Sequence, residues 1–129
     1  MTRGLKPSTI VPGSSPVTGI PKTPSYLNKE AKAEWRRVAP ILALERKVLT
    51  DADLATLETY CVHYGALRMA EREIAANGLI SDGKRNPAYG ILKESSLLLV
   101  RCAGELGLTP SARSRASMNE YADDDEGFV

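Results

Sequence analysis

The chain has 129 residues, a formal charge of +1 and few aromatic side chains, one Trp, one Phe and five Tyr. That length suits one domain, and the leucine and alanine that dominate its middle favour packed helices over a β-sandwich. No apolar run approaches the roughly 18 residues of a membrane span, and the first residues lack the apolar stretch of a signal peptide, so a soluble cytosolic protein is expected.

The small net charge hides a segregation. Residues 1–47 carry nine Lys/Arg against three acids, residues 48–112 six against eight, and residues 113–129 two against five, giving blocks of +6, −2 and −3. A basic first third and an acidic end suggest one polyanionic partner and a separate, less basic one.

Residues 1–24 hold five of the eight prolines among Gly, Ser and Thr, with Arg3, Lys6 and Lys22 and no acid. This reads as a flexible basic arm or as a plain disordered tail. Asn28 is placed to cap a first helix, KEAKAEWRRVA, whose Leu27, Ala31, Trp35, Val38 and Ala39 share one face and which Pro40 stops or kinks. The opposite face mixes Lys29, Lys32, Arg36 and Arg37 with Glu30 and Glu34. Either a solvated face held by i,i+4 pairs or a nucleic-acid contact accounts for it.

Thr50 followed by Asp53 has the spacing of a capping box with Asp in the acidic position, and it opens a long helix through DLATLETYCVHYGALRMAEREIAAN. Leu54, Leu57, Cys61, Tyr64, Leu67 and Ile74 recur on that helix at three- and four-residue steps, and Gly78 ends it. A short loop or small hairpin follows, turned by Asp82-Gly83 and left through Asn86-Pro87. In the second long helix, AYGILKESSLLLVRCAGEL, the positions Leu92, Ser96, Leu99, Ala103 and Leu106 line a stripe that Ile91, Leu98 and Cys102 widen. So broad a face implies more than one packing partner. Gly107-Leu108 reads as a Schellman ending, Thr109-Pro110 opens a short helix, and the acidic NEYADDDEGFV is expected to be disordered.

Catalytic chemistry finds little support. Gly78 to Arg85 fits the phosphate-loop pattern G-x-x-x-x-G-K-[ST] except at the last position, where Arg85 replaces the magnesium-binding hydroxyl, and a helix rather than a strand leads in. Asp123, Asp124, Asp125 and Glu126 lie on a terminal run unsuited to holding two metal ions. His63 is the single histidine and has no evident orienting carboxylate or nucleophile. Cys61 and Cys102 sit in apolar helical patterns without a CxxC and read as reduced core thiols.

The segment Glu105-Leu106-Gly107-Leu108-Thr109-Pro110-Ser111-Ala112-Arg113-Ser114-Arg115 resembles the C-terminal signature of one family of phage terminase small subunits, in which a helix ends at Gly-Leu and restarts at Thr-Pro. The Trp35 helix with Pro40, the Leu49-Thr50-Asp51-x-Asp53 start leading to Tyr60-Cys61, and Asn86-Pro87 are similar to that family in order and spacing. The resemblance spans about residues 25–115. It implies an all-α fold: an antiparallel hairpin of two long helices with a shorter N-terminal helix and disordered termini, assembling into a homo-oligomeric ring of roughly eight to ten subunits. It further implies a bacterial-host cytoplasmic protein that binds double-stranded viral DNA at the packaging initiation site and works with a large subunit holding the ATPase and nuclease. No cofactor, metal, membrane or small-molecule substrate is expected.

On this reading residues 1–24 form the arm, 25–117 the helical packaging and oligomerisation domain, and 118–129 the acidic tail. Phosphate contacts dominate non-specific DNA affinity, so Arg3, Lys6, Lys22, Lys29, Lys32, Arg36, Arg37, Arg46 and Lys47 are the first DNA candidates, with Arg113 and Arg115 second. Leu54, Leu57, Tyr64, Leu92, Leu99 and Leu106 are the expected oligomer contacts. Tyr121, Asp123, Asp124, Asp125 and Phe128 are candidates for docking the large subunit, unless the tail is merely solubilising. A small helical transcription regulator, reading DNA with the Thr50 helix and the loop after it, is the alternative.

Overall fold

Local chemistry sets the first helix. The Asn28 carboxamide oxygen accepts the Ala31 amide at 2.8 Å, and α1 (Lys29–Pro40) buries Ala31, Trp35, Val38 and Ala39 along one face. The computed structural model describes residues 16–114. Pro40 does not stop the winding. Ile41–Glu45 continues as a π-helical turn, with the Arg46 amide donating to the Ile41 carbonyl at 2.9 Å. Proline has no N–H to give to the ladder, and the wider winding restores backbone pairing beyond it. The turn carries Leu42 and Ala43 into the core. Lys47, in the left-handed region at φ 54°, then reverses the chain, and the amides of Val48 and Leu49 both donate to the Leu42 carbonyl.

Residues 16–24, assigned above to the arm, lie along the domain. The Val17 amide donates to the Leu49 carbonyl at 2.8 Å, Pro16 and Thr50 form an isolated antiparallel bridge, and the Trp35 indole N–H donates to the Pro21 carbonyl at 3.0 Å. A proline-rich strand is suited to this role because its carbonyls still accept while few of its amides need partners.

At Thr50 the capping reads as the spacing indicates: the Asp53 carboxylate accepts from both the Thr50 amide (3.0 Å) and its hydroxyl (2.9 Å). A 3-10 turn at Asp51–Asp53 leads into α2 (Leu54–Asn77), which packs against α1 and, more extensively, against α3 (Ala88–Glu105). The close approach of α1 depends on a missing side chain. A Cβ on Gly65 would lie 2.6 Å from the Asn28 Oδ1 that caps α1.

α2 ends at Gly78, whose φ of 81° and ψ of 171° belong to a region only glycine occupies easily. This positive φ with an extended ψ sends the chain straight into a hairpin. Strands β1 (Ile80–Ser81) and β2 (Lys84–Arg85) pair antiparallel, Ile80 opposite Arg85 and Ser81 opposite Lys84. Positive φ at both Asp82 (51°) and Gly83 (73°) marks a type I′ turn. This two-stranded piece, with the Pro16–Thr50 bridge, departs from the expected all-helical fold. The short connection makes α2 and α3 antiparallel neighbours. α3 closes with a Schellman pair, Leu108 amide to Ala103 carbonyl (2.8 Å) and Gly107 amide to Gly104 carbonyl (3.2 Å), with Gly107 at φ 74°. Thr109 accepts the Ala112 amide at 3.2 Å, and helical winding resumes from Pro110.

Val38, Leu42, Leu49, Leu57 and Cys61 are the largest fully buried side chains. Both cysteines are free and buried, and burial pushes the Cys61 thiol up to about 12, in keeping with inert core thiols.

The Asn28–Gly65 contact yields a coupled prediction. Gly65→Ala should cost about 1–2 kcal/mol, the worth of the displaced helix cap, and much less in an Asn28→Ala background where no carboxamide is left to clash. Urea unfolding of the four members of this cycle measures it; equal costs in both backgrounds would show that Asn28 is not what the new methyl meets.

Candidate nucleic-acid and assembly surfaces

The α1 cations divide into two groups. Glu34, only 3% exposed, faces α2, where its carboxylate accepts from the Tyr60 hydroxyl at 2.6 Å and from Arg37 through two bonds of 2.7 and 2.8 Å. Burial alone would push the Glu34 carboxyl up, but the Arg37 guanidinium and the Tyr60 hydroxyl outweigh it and hold the group below its ordinary value. Burial, with the Glu34 carboxylate beside it, pushes the Tyr60 phenol up. Arg37, expected at the DNA surface, is thus the charge partner of a buried acid, although its own side chain remains 61% exposed.

Arg46 is also engaged within the fold. Its guanidinium donates to the Gly107 carbonyl, clasping the segment after the π-turn to the end of α3. Arg113 donates to the Leu108 carbonyl at 3.1 Å. Lys22, Lys29, Arg36 and Lys47 are exposed and Lys32 is half-buried. None of these five is in an ion pair among the described residues, where the ion pairs are Glu34–Arg37, Glu71–Arg68 and Glu30–Arg72. Arg3, Lys6, Arg115, Tyr121, Asp123, Asp124, Asp125 and Phe128 lie outside the described residues.

The expected oligomer contacts are buried within the chain to different degrees. Leu57 is fully buried and Leu106 is 7% exposed, while Leu54 and Leu99 pack against the same core and Tyr64 and Leu92 are half-buried. A periodic apolar stripe marks a helix's first packing partner, and here that partner is the chain itself. Other apolar side chains of α3 are exposed, Leu97 by 65% and Val100 by 63%, with Tyr89, Ile91 and Leu98; off α3, Tyr26, Met69, Leu79 and Ile80 are exposed as well. At 100° per residue, Ile91 and Leu98 fall on one flank of the Ser95–Cys102 packing face, whereas Tyr89, Leu97 and Val100 fall on the far side.

The hairpin supplies cations that the sequence reading did not assign. Lys84 and Arg85 are exposed, and the Arg85 guanidinium stands 4.4 Å from the centroid of the Tyr89 ring. The glycine-lysine motif that suggested a phosphate loop is this hairpin, preceded by a helix, with its glycines serving the helix end and the turn. Among the described residues no three His, Cys, Asp or Glu side chains cluster as a metal site. A groove between the Pro16–Pro24 segment and the Trp35, Leu54 and Glu58 side chains is open to solvent. No helix there is long and apolar enough to cross a membrane.

The described residues thus form a helical hairpin braced by a short third helix, with exposed cations on α1 and at the hairpin tip and exposed apolar side chains on α3. Residues 31–123 match the family described as phage terminase, small subunit, and the chain belongs to that family, whose role is in phage DNA packaging. No curated protein and no solved structure matches the chain.

The Glu34 arrangement gives a pH prediction with a definite sign. A carboxyl held below its ordinary value of 4.5 in the folded state stabilises the fold above that pH, and the stabilisation is lost as pH falls through the lower folded value. Glu34→Gln should weaken the fold at neutral pH by about 1–3 kcal/mol and flatten the acid limb of stability against pH. Thermal melts from pH 7 to 3 test this; an unchanged acid limb in the variant would remove Glu34 as its source.

Proposed function

We propose that this chain is the non-catalytic small subunit of a packaging terminase, a homo-oligomeric ring that binds viral DNA at the packaging initiation site and presents it to the large ATPase and nuclease subunit. The observation that carries the assembly part is the outer face of α3. Leucine, isoleucine, valine and tyrosine side chains stand exposed on one 18-residue helix beside Lys93, Glu94, Arg101 and Glu105, and exposed apolar side chains grouped in this way mark a contact surface. Among the described residues, α2 alone packs extensively on it. Burying Leu97 and Val100 against neighbouring copies satisfies that surface, and a heterologous contact of this kind closes into a ring when its rotation permits.

Support for DNA binding comes from Lys22, Lys29, Lys32, Arg36 and Lys47, which have no carboxylate partner in the described fold, and from the basic arm that precedes Pro16. Such cations bind phosphate by counterion release without reading sequence. Arg37 and Arg46 are placed second, because part of their bonding capacity is used internally. The acidic residues beyond Arg113 remain the proposed contact for the large subunit.

Light scattering on the pure protein should give a mass several times that of the protomer. Leu97→Glu with Val100→Glu should reduce that mass while leaving the helical circular dichroism intact, because neither side chain belongs to the core. A monomeric parent would defeat the ring, and a stable dimer would favour the regulator.

For DNA, the informative truncation stops at residue 15, since Pro16 onward braces the fold. Removing residues 1–15 takes away Arg3 and Lys6 and should reduce the slope of log affinity against log salt by about two on duplex DNA. Fluorescence anisotropy across a salt series measures the slope, and no change in it would discharge the arm from DNA contact.

A further inference from the structure

The hairpin between α2 and α3 has the features of a built element rather than a loose connection. Its base is locked by Asn86, 4% exposed, whose side-chain amide donates to the Gly78 carbonyl (3.0 Å) and whose oxygen accepts the Ala88 amide (3.0 Å). The Asn86 amide also donates to the Leu79 carbonyl at 2.7 Å. Two consecutive positive-φ residues fix the turn, so the strands project in a single register.

Directly paired residues of an antiparallel ribbon share a face and neighbouring residues take opposite faces. Ser81 and Lys84 therefore present a hydroxyl and an ammonium on one side, while Ile80 and Arg85 occupy the other. Arg85 is held against the Tyr89 ring, which orients the guanidinium without neutralising it. All four side chains are exposed, Ile80 by 64%.

We infer that this hairpin is a nucleic-acid contact that enters a groove of duplex DNA, with Lys84 and Arg85 on its two faces bonded to the phosphates of the opposite groove walls. A flat acidic protein surface would engage one face of a ribbon. A groove offers phosphates on both sides, and the major groove, about 12 Å wide, admits a two-stranded ribbon. Ser81 and Ile80 then meet the groove edge, the first as a hydrogen-bonding group and the second against sugar or base carbon. Asp82 at the tip limits the net charge, and the two phosphate contacts both add affinity and fix position. The inference rests on the DNA-binding reading above and assigns to it residues outside the basic first third.

The test compares the full chain with Lys84→Ala, Arg85→Ala and the double variant, using labelled duplex in anisotropy over a salt series, with light-scattering mass and thermal melting alongside. Each single substitution should lower the salt slope by about one, and the pair should weaken binding about tenfold at moderate salt, with mass and melting temperature unchanged. Lys84→Arg should retain the slope. If the parent binds duplex and the double variant binds it with the same affinity and slope, the hairpin assignment is overturned while DNA binding stands. If affinity falls only in step with a loss of assembly mass, the hairpin is a subunit contact and the assignment is again overturned. A parent with no affinity for duplex at low salt removes both readings.

Discussion

α2 is the helix on which both others lean. α1 occupies one side of it and α3 another, and the close approach on the α1 side is possible because Gly65 has no side chain to meet the Asn28 cap. The price of this arrangement is an exposed helix: with α1 engaged by α2, little among the described residues covers the far side of α3. A domain this small cannot hide three amphipathic helices completely, and part of the surplus apolar surface lies on the last of them.

The polar interior is fully accounted for. No buried side-chain nitrogen or oxygen among the described residues lacks a hydrogen-bond partner, and the buried Glu34, Thr50 and Asn86 each engage groups that fix a junction. Glu34 ties α1 to Tyr60 on α2, Thr50 meets Asp53 where α2 begins, and Asn86 holds the hairpin to α3. An unpaired group in these places would carry a desolvation cost comparable to a substantial part of a small domain's stability. This sorting also separates cations that maintain the fold from those free for a polyanion, a distinction that net charge conceals.

Most helix ends were legible in the sequence because caps and turns depend on a few adjacent residues. Asn28, Thr50 with Asp53, Asp82-Gly83, Gly107-Leu108 and Thr109 all act locally. What escaped depended on partners distant along the chain. The π-turn after Pro40 requires Leu42 to reach the core, the docking of residues 16–24 requires the Leu49 carbonyl and the Trp35 indole, and the Arg46 clasp requires Gly107. The expected interface residues illustrate a related point. Leu57 and Leu106 belong to regular stripes, and regularity identifies burial without saying whether the burying surface is the same molecule or another. The family itself was readable from the Gly-Leu-Thr-Pro junction and its upstream companions, and the match over residues 31–123 agrees with it.

The indole of Trp35 is 3% exposed and bonded to the Pro21 carbonyl, and it is the sole tryptophan of the chain. The molecule consequently carries an intrinsic optical gauge at the seam between its N-terminal strand and its helices. Lifting that strand wets one identifiable chromophore, so the event registers as a red shift in native emission, separate from changes at the distant tip of the helical hairpin.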